Sequence, residues 1–540
     1  MSYFRWFLAV SLVTGLAVAE TIRVPEDYPT ARLALEAAAN GDTVLISGGS
    51  VSRNVYFNGN DVVLIGQSLL GNDFRNFANR ITSLPTAERG AVVDSFMSAV
   101  PGFPFAEADV FCYFIYRGST NSVAVAGDFN GWNPTNANLS RLADTNFWYR
   151  EYVFEADARL DYKLVLNGSQ WILDPRNPNT VSGGFGPNSE LAMPDYVQPT
   201  EIAANPAIAH GSVFDTTITS AILGNSRPIR IYTPPGYAAA TTDSFPMILF
   251  HDGLEYLALA NVKNIFDNLI DQQRIQSLIG VFVHPIDRNN ELGFTKRLQY
   301  EAFIIDELMP LVTSRYRIKS DPAARAMTGP SLGGLITTQI CYNHPDVFGL
   351  AAPFSPSYWA NDRVVFNEVV NGPVQPLKFY LDWGTYEPSI MVDGRLMSDY
   401  LDTAGYELTW QEWHEGHSWG SWRAHVDNAL EFFFPGSALG TGQPAEIAEG
   451  FELFQNYPNP FNPETTIRFQ LPFPADISLK IFDLLGREVV TLKSGFAAQG
   501  EHTVVWNGQN TNGETVGSGF YFYRLVSQKF SETRRMLLIR

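Results

Sequence analysis

At 540 residues the chain is too long to fold around one ordinary hydrophobic core, and its length predicts about three or four domains. Hydrophobic residues make up 45% and charged residues 17% of the chain, a composition typical of a folded protein that excludes disorder as its main state. The net charge of −19 would repel a phosphate backbone or an anionic membrane surface, so we expect no nucleic-acid partner.

The first residues have the features of a secretory signal peptide. Arg5 precedes an apolar run that ends in Ala-Val-Ala at residues 17–19, the small-x-small pattern that signal peptidase accepts. We therefore predict a signal peptide over residues 1–19 and a secreted or cell-surface protein exported through the periplasm. Elsewhere the sequence lacks an apolar run of about 18 residues or more, so no integral membrane segment is expected after signal removal.

Residues 20–100 begin with a short helical stretch and continue in short β-rich runs separated by Gly, Asn and Asp, as in GDTVLISGGSVSRNVYFNGNDVVLIGQS. This pattern resembles the N-terminal cap and first coils of right-handed parallel β-helix proteins. It fades after about two coils, whereas a solenoid needs several stacked coils to bury a core. We predict a short β-helix-like segment that packs on the rest of the chain, and we assign no chemistry to it.

Apolar and polar residues alternate over residues 105–195, in runs such as VFCYFIY and LDYKLVLNG that turn signals separate. The alternation predicts a small β-sandwich. The segments GDFNGWN and YKLVLNGSQWILDP resemble the early-set domain of the glycogen-binding and isoamylase N-terminal type. That resemblance implies α-glucan contacts at Trp132, Lys163, Trp171 and Asn188. The same module precedes the hydrolase domain in enterochelin esterase-like proteins, so it fits both sugar binding and a scaffold.

Residues 205–435 alternate buried β-runs, such as FPMILFHDG and LIGVFVHP, with helical stretches, which predicts a mostly parallel sheet with flanking helices. Within this domain, TGPSLGGL places a G-x-S-x-G motif between the strand ARAMT and a helix. A serine becomes a nucleophile when such a turn raises its hydroxyl where a base can reach it. Gly329 and Gly333 stand where a side chain would crowd the turn. We therefore predict Ser331 as the nucleophile.

The base and the acid should follow the serine, because the chain order in α/β-hydrolases is Ser, acid, His. Within residues 205–435 the histidines downstream of Ser331 are His344, His414, His417 and His425. Of these, His417 follows the strand ELTWQEW and a Glu-Gly turn that can return it over the edge of the sheet, and it is the predicted base. Glu387 lies just beyond the strand KFYLDWG, where open α/β sheets collect functional groups, and is the predicted acid. Asp382, inside that strand, remains the alternative.

Backbone N–H groups are expected to stabilise the oxyanion of an acyl-transfer intermediate. One donor is predicted at Leu332, directly after the nucleophile, and the other at Gly253 or Leu254, after the strand MILFHDG. The sequence contains no H-E-x-x-H motif and no clustered His, Asp and Cys spacing. We expect neither a metal nor another cofactor.

The segments HGSVFDTTITSAILGNSRPIRIYTPPGY, LFHDG, GPSLGGL and EGHSWGSWR resemble, in this order, the esterase family that contains the enterochelin and feruloyl esterases. The resemblance implies an α/β-hydrolase fold in which Ser331, Glu387 and His417 are the nucleophile, acid and base. It also implies that Arg288 and Glu291 line the site, although a structural salt bridge is an equal alternative for both. Many relatives have Asp as the acid.

A linker rich in Gly, Ala and Pro is predicted over residues 436–450, before a last domain over residues 451–540. The segments YPNPFNPETTI and IFDLLGREV and the basic, then apolar, terminus RRMLLIR resemble, in order, the C-terminal sorting domain of the type IX secretion system. This resemblance implies a second β-sandwich and the type IX secretion machinery as a partner.

Together these patterns predict a secreted serine esterase that hydrolyses carboxylic esters through an acyl-enzyme. Its substrates are expected to be feruloyl or acetyl esters linked to polysaccharides, or siderophore-type esters. The alternative is a catalytically silent, secreted protein that binds carbohydrate or acts at the cell surface.

Overall fold

The computed structural model describes residues 110–436 apart from residues 185, 240 and 241 and, with further gaps, parts of residues 19–107 and 452–538. The signal peptide predicted over residues 1–19 and the linker predicted over residues 436–450 lie outside the described residues, apart from one residue of each. In the described part of the chain, no helix combines the length and the apolar character that crossing a bilayer requires.

The N-terminal segment is a small sheet followed by two helices. Its strands are β1 (Thr21–Val24), β2 (Thr43–Ile46), β3 (Val51–Phe57) and β4 (Asn60–Gly66), in the order β1-β2-β4-β3. The β1–β2 and β2–β4 pairs are parallel, and the β3–β4 pair is antiparallel. The helices are α1 (Asn72–Ser83) and α2 (Thr86–Ala99).

The prediction of β-runs up to about residue 100 is therefore wrong for residues 72–99. Phe74, Phe77, Ala78 and Ile81 recur at helical spacing along α1, and all four are buried. They pack against Tyr113 and its neighbours in the following domain.

The next domain consists of two antiparallel sheets that enclose an apolar core. Its strands are β5 (Phe105–Glu107), β6 (Phe111–Arg117), β7 (Val123–Gly127), β8 (Ser140–Arg141), β9 (Phe147–Val153), β10 (Arg159–Leu166), β11 (Gln170–Ile172), β12 (Thr180–Gly183) and β13 (Gly186–Ala192). One sheet has the order β5-β6-β9-β8 and the other β11-β10-β13-β12, with β7 paired to β10. We refer to this domain, residues 105–195, as the sandwich.

The largest sheet has the order β14-β15-β17-β16-β18-β19-β20-β21. Its strands are β14 (Ser212–Ser220), β15 (Asn225–Thr233), β16 (Met247–Phe250), β17 (Ile279–Val283), β18 (Arg325–Pro330), β19 (Leu350–Phe354), β20 (Lys378–Gly384) and β21 (Glu407–Trp413). Pairing is antiparallel from β14 to β17 and parallel from there to β21. The strands β16, β17 and β19 are buried at every residue, which explains their uninterrupted apolar sequence.

Helices cover both faces of this sheet, and each face has its own apolar core. The helices are α3 (Gly253–Ala258), α4 (Val262–Asp271), α5 (Arg288–Leu292), α6 (Arg297–Ala302), α7 (Met309–Arg315), α8 (Leu332–Asn343), α9 (Ala360–Asn371), α10 (Pro388–Ala404) and α11 (Trp419–Phe433). A π-helical stretch, Phe303–Leu308, joins α6 to α7. The parallel strands end at one edge of the sheet, and the loops that leave that edge carry the candidate site.

The C-terminal region also consists of β-strands around an apolar core. They are β22 (Glu452–Leu453), β23 (Thr465–Leu471), β24 (Ala475–Phe482), β25 (Glu488–Ala497), β26 (Gly500–Trp506), β27 (Gly519–Ser527) and β28 (Phe530–Leu538). They form one sheet of order β22-β23-β26 and another of order β25-β24-β27-β28. Trp506 and Tyr523 are buried in this core.

Candidate active site

Ser331 occupies the sharp turn between β18 and α8. Its φ of 61° and ψ of −119° lie in a region that residues with a side chain rarely adopt. Backbone hydrogen bonds hold the turn: Ser331 N donates to Phe354 O at 2.9 Å, and Ser331 O accepts from Ser357 N at 3.0 Å. A strained strand-to-helix turn of this kind lifts the serine hydroxyl above the sheet.

The two glycines around Ser331 allow the close approach of strand and helix. A Cβ on Gly329 would lie 2.9 Å from backbone atoms of Gly333, and one on Gly333 would lie 3.1 Å from Pro330 Cδ. Neither neighbour can move without displacing the turn. A side chain at either position would therefore crowd the turn, as the sequence indicated.

Glu387 and His417 are hydrogen-bonded to each other through Oε1 and Nδ1. Glu387 follows β20 and is 1% exposed, whereas His417 follows β21 and is 39% exposed. The other carboxylate oxygen of Glu387 accepts from Ser355 Oγ at 2.9 Å and from Gly384 N at 2.5 Å. Because an ionised carboxylate only accepts, this contact favours the tautomer with the proton on Nδ1, which leaves Nε2 as the acceptor nitrogen.

Ser355 and Trp422 support this pair, and the sequence did not point to either of them. Trp422 Nε1 donates to Ser355 Oγ at 3.0 Å, and its ring meets the His417 ring edge to face at 4.9 Å between centroids. One signal was available for Ser355, which directly follows β19 at the edge where functional groups collect.

The hydroxyl of Ser331 is hydrogen-bonded to Ser357 Oγ at 3.1 Å. Within the described residues no hydrogen bond joins Ser331 to His417. Catalytic hydrogen bonds are often long in the absence of substrate and tighten in the reacting complex. In the structure described, the Ser331 hydroxyl thus faces Ser357.

Asp382, the alternative acid, lies within β20 and is 2% exposed. Burial, followed by the nearby charge of Glu387, raises the pKa of Asp382 well above its usual range. A neutral carboxyl group there would not serve as the charged partner of a histidine. The carboxylate that contacts His417 is that of Glu387.

The other three histidines that follow Ser331 within residues 205–435 each contact a carboxylate other than that of Glu387. His344 Nε2 lies 2.9 Å from Glu301 Oε1, and His425 Nε2 lies 2.8 Å from Glu415 Oε1. His414 Nδ1 lies 2.6 Å from Asp157 Oδ1 of the sandwich.

The predicted oxyanion donors lie at two helix starts. Leu332 begins α8, and Gly253 and Leu254 begin α3, and the first N–H groups of a helix have no acceptor within it. Asp252, at φ 54°, precedes α3, and Arg288 donates to both of its carboxylate oxygens at 2.7 Å. The same guanidinium is 3.4 Å from Pro330 O. Arg288 therefore ties the α3 loop to the serine turn.

His251, which directly follows β16, is fully buried with Nδ1 3.1 Å from Tyr300 Oη. Burial, followed by the charge of Arg288, lowers the pKa of His251 to about 3. The ring is neutral at physiological pH and shapes the loop from inside.

Arg288 and Glu291, both predicted to line the site, have different environments. Arg288 is 39% exposed, so it can also face a ligand. Glu291 is fully buried, and its carboxylate accepts from both terminal nitrogens of Arg227 at 2.9 Å. The structure thus contains the salt bridge that was the equal alternative for Glu291, and this carboxylate is enclosed rather than open to a ligand.

The predicted sugar contacts of the sandwich lie on one face of its second sheet: Trp132, Lys163, Trp171 and Asn188. Val165 pairs with Trp171 across strands β10 and β11, and Lys163 lies two residues from Val165, so these side chains share a face. Trp132 packs against Val165, and Asn188 Nδ2 donates to Asp161 Oδ2 at 2.9 Å. The Trp171 ring is 44% exposed.

Two parts of the chain match known protein families. Residues 220–433 match the model of the family described as Putative esterase, and residues 458–529 match that of the FlgD Ig-like domain.

Curated relatives include an endo-1,4-beta-xylanase/feruloyl esterase of Xylanibacter ruminicola, 28% identical over 26% of this chain and 21% of that protein. An uncharacterised protein of Bacillus subtilis is 29% identical over 25% of this chain and 58% of its own length. The iron(III) enterobactin esterase of Escherichia coli K12 is 26% identical over 55% of this chain and 82% of that protein. The chain thus spans less than two thirds of the length of the first two of these relatives.

The enterobactin esterase of Shigella flexneri, whose crystal structure was solved in the presence of enterobactin, has a TM-score of 0.53 at 23% identity, over 61% of this chain and 94% of that one. The ferric enterobactin esterase of Salmonella typhimurium has a TM-score of 0.56 at 20% identity, over 63% of this chain and 98% of that one. These likenesses concern the fold. Residues 220–433 thus match an esterase-family model in sequence and share the α/β-hydrolase fold of these two structures.

Proposed function

We propose that the protein is a secreted serine esterase that cleaves carboxylic esters through an acyl-enzyme formed on Ser331. One observation carries the proposal: a strained, raised serine lies on the same sheet edge as a half-exposed histidine whose Nδ1 is held by a buried carboxylate. The match of residues 220–433 to an esterase family supports the same chemistry.

In this mechanism His417 Nε2 takes the proton of Ser331 as Oγ attacks the ester carbonyl carbon. The N–H groups of Leu332 and of Gly253 or Leu254 donate hydrogen bonds to the negatively charged carbonyl oxygen and stabilise it. The C–O bond to the alcohol then breaks, and His417 returns the proton to the departing oxygen. Water then attacks the acyl carbon while His417 takes its proton. The bond to Ser331 Oγ breaks, Oγ regains the proton from His417, and the carboxylic acid is released. Glu387 stabilises the imidazolium at both stages.

For substrate, we infer feruloyl or acetyl esters on polysaccharides, or siderophore-type esters. The support comes from relatives that are named as a feruloyl esterase and an enterobactin esterase. The exposed Trp171, on the same sheet face as Trp132 and Lys163, favours a saccharide-linked ester, because an aromatic ring can stack on the apolar face of a sugar.

A substrate panel and a covalent probe test the enzyme proposal. Purified protein is assayed with feruloylated arabinoxylan, acetylated xylan, a catecholate ester and a simple aryl acetate, and is labelled with a fluorophosphonate. We expect hydrolysis of at least one ester and a labelled peptide containing Ser331. A folded protein that hydrolyses none of them and is not labelled would favour the catalytically silent alternative.

The sugar-binding role is tested separately by affinity electrophoresis of the full chain in gels containing glycogen, xylan or pectin. Retardation that is lost in the Trp132→Ala/Trp171→Ala variant is the expected result, since stacking contributes about 1 kcal/mol per aromatic ring. Equal mobility in all gels would leave the sandwich without a glycan role and would favour a small soluble ester as substrate.

We also propose that residues 451–540 direct the protein through the type IX secretion machinery to the cell surface or beyond. The support is the resemblance of YPNPFNPETTI, IFDLLGREV and the C-terminal basic, then apolar, segment to sorting domains, together with the immunoglobulin-like match over residues 458–529. Normal recovery of a chain that lacks residues 451–540 outside the producing cell would contradict this role.

A further inference from the structure

Glu387 and His417 lie on two loops that both contact the same short segment of the sandwich. This positioning segment is residues 155–159, between β9 and the first residue of β10. One loop follows β20 and contains Tyr386 beside Glu387. The other follows β21 and contains Ser418 beside His417.

The first contact involves the residue before Glu387. Tyr386 is 6% exposed and lies within the apolar core of the sandwich, where its ring meets Phe154. Its hydroxyl donates to Glu155 Oε2 at 2.6 Å. A side chain of the hydrolase domain is thus buried in the core of a different domain, with its polar end bound to a carboxylate that is 3% exposed.

The second contact involves the residue after His417. Arg159 is fully buried and donates from Nη1 to Ser418 Oγ at 2.9 Å, while its backbone N donates to His414 O at 3.0 Å. The guanidinium is held from the sandwich side by Glu190, whose Oε2 accepts from Nε at 3.0 Å and from Nη2 at 2.6 Å. The loop that carries His417 is therefore hydrogen-bonded to the guanidinium of Arg159, which Glu190 also binds.

The fit around these contacts is tight. A Cβ on Gly416 would lie 2.2–2.4 Å from the side chain of Asp128, and one on Gly420 would lie 1.9–2.3 Å from the guanidinium of Arg159. The two loops also contact each other, because Tyr386 N donates to Glu415 O at 3.2 Å. A shift of the positioning segment would thus be transmitted to both loops.

We propose that residues 155–159 are a positioning element of the acid–base pair, in which Glu155 and Arg159 hold the loops of Glu387 and His417 through Tyr386 and Ser418. The inference rests on the proposed function, because it concerns the alignment of the acid and base of that same site. None of the positioning residues touches the reacting atoms. Their effect is to keep the histidine ring aligned, and misplacement of a catalytic group by about 1 Å can reduce the rate about 100-fold.

The test removes single hydroxyl or carboxyl groups from the full-length protein. Tyr386→Phe and Glu155→Leu abolish the first contact, whereas Glu155→Gln keeps an acceptor oxygen for the tyrosine hydroxyl. The matched control is Tyr162→Phe, which removes another buried hydroxyl of the sandwich, one that donates to Asp174 Oδ2 at 2.8 Å away from both loops. Arg159 is left intact, because its loss would leave the buried carboxylate of Asp161 without the cation that lies 2.8 Å from it.

The measurements are kcat and KM on the best ester of the panel and hydrogen–deuterium exchange of peptides that cover residues 384–388 and 413–419. We expect Tyr386→Phe and Glu155→Leu to lower kcat about 10- to 100-fold with KM little changed, and to speed exchange in both peptides. Glu155→Gln should retain most of kcat, and Tyr162→Phe should match the wild type in kcat and in both peptides.

The remaining outcomes distinguish failure of the positioning inference from failure of the proposed function. Unchanged kcat and exchange in Tyr386→Phe, beside an active wild type, would overturn the inference and leave the proposed esterase intact. Equal losses in Tyr162→Phe and Tyr386→Phe would also overturn it, since the effect would then be one of general stability. An inactive wild type whose loop exchange still accelerates in Tyr386→Phe would refute the proposed function while retaining the positioning contact.

Discussion

Replacement of Glu387 by glutamine gives the sharpest test of the acid–base pair. The Oε2 oxygen of Glu387 accepts from Ser355 Oγ and from the obligatory donor Gly384 N, at 2.9 and 2.5 Å. An amide oxygen can replace it there, whereas an amide NH₂ group would face a second donor. In Glu387→Gln the amide nitrogen must therefore point to His417 Nδ1.

That orientation forces His417 into the wrong tautomer. With an N–H donor opposite it, Nδ1 becomes the acceptor and the ring proton moves to Nε2, which can no longer take the proton of Ser331. A tautomer error of this kind lowers kcat about 10⁴-fold in serine hydrolases, or about 5.4 kcal/mol at 1.36 kcal/mol per tenfold change. Folding should be preserved, because the hydrogen bonds from Ser355 and Gly384 remain.

The assay compares kcat and KM of the wild type, Glu387→Gln and Asp382→Asn on one aryl ester, with thermal unfolding as a check on folding. Asp382 is the matched control, because its burial favours the neutral carboxyl form that an amide imitates, and we expect its kcat within about threefold of the wild type. If Asp382→Asn inactivates the enzyme while Glu387→Gln stays within tenfold, the acid is misassigned and the tautomer argument fails.

Four further outcomes follow from the site. Ser331→Ala should fold but lose ester hydrolysis and fluorophosphonate labelling, and near-normal turnover would refute the acyl-enzyme. A Cβ in Gly253→Ala would lie 2.5 Å from Val283 N, so the variant should lower both the unfolding temperature and kcat, the latter about 100-fold or more; normal values of both would exclude the close approach. The folded-state pKa of His251 is about 3 and an unfolded histidine titrates near 6.5, so the unfolded state binds an extra proton between these values, and the free energy of unfolding should decrease by up to about 1.4 kcal/mol for each unit by which the pH is lowered. His251→Asn should reduce that slope, and a difference between the unfolding curves at pH 7 and pH 5 that is the same in the variant and the wild type would contradict the burial argument. Deletion of residues 451–540 should leave kcat and KM unchanged, and a large loss of kcat would show that this region contributes to the site.

Local sequence patterns were sufficient to predict the turn around Ser331. Strand, glycine, serine, glycine and helix follow one another within a few residues, and the crowding at Gly329 and Gly333 is a short-range effect. The sheet was also visible in the sequence, since strands buried on both faces are apolar without interruption. Helical spacing in residues 72–83 was a local signal too, and the β-helix resemblance of the preceding residues obscured it.

Strand pairing decided which of the two candidate carboxylates contacts His417. Glu387 and Asp382 are five residues apart around the end of one strand, and the sequence alone left both open. In the structure β20 and β21 are parallel, with Gly384 opposite Trp413, so the loops after these strands leave the sheet side by side. Glu387 then reaches His417, while Asp382 remains inside the sheet.

The sequence by itself thus determined the alternating strands and helices of residues 205–435, the turn at Ser331 and a short set of candidate acids and bases, because each of these depends on residues that are near one another in the chain. The tertiary structure alone decided which partners meet. Glu291 binds Arg227 across 64 residues, and Arg159 binds Ser418 across 259 residues. Such contacts have no local signature, because periodicity reports which face of a strand or helix is buried and not which distant side chain lies against it.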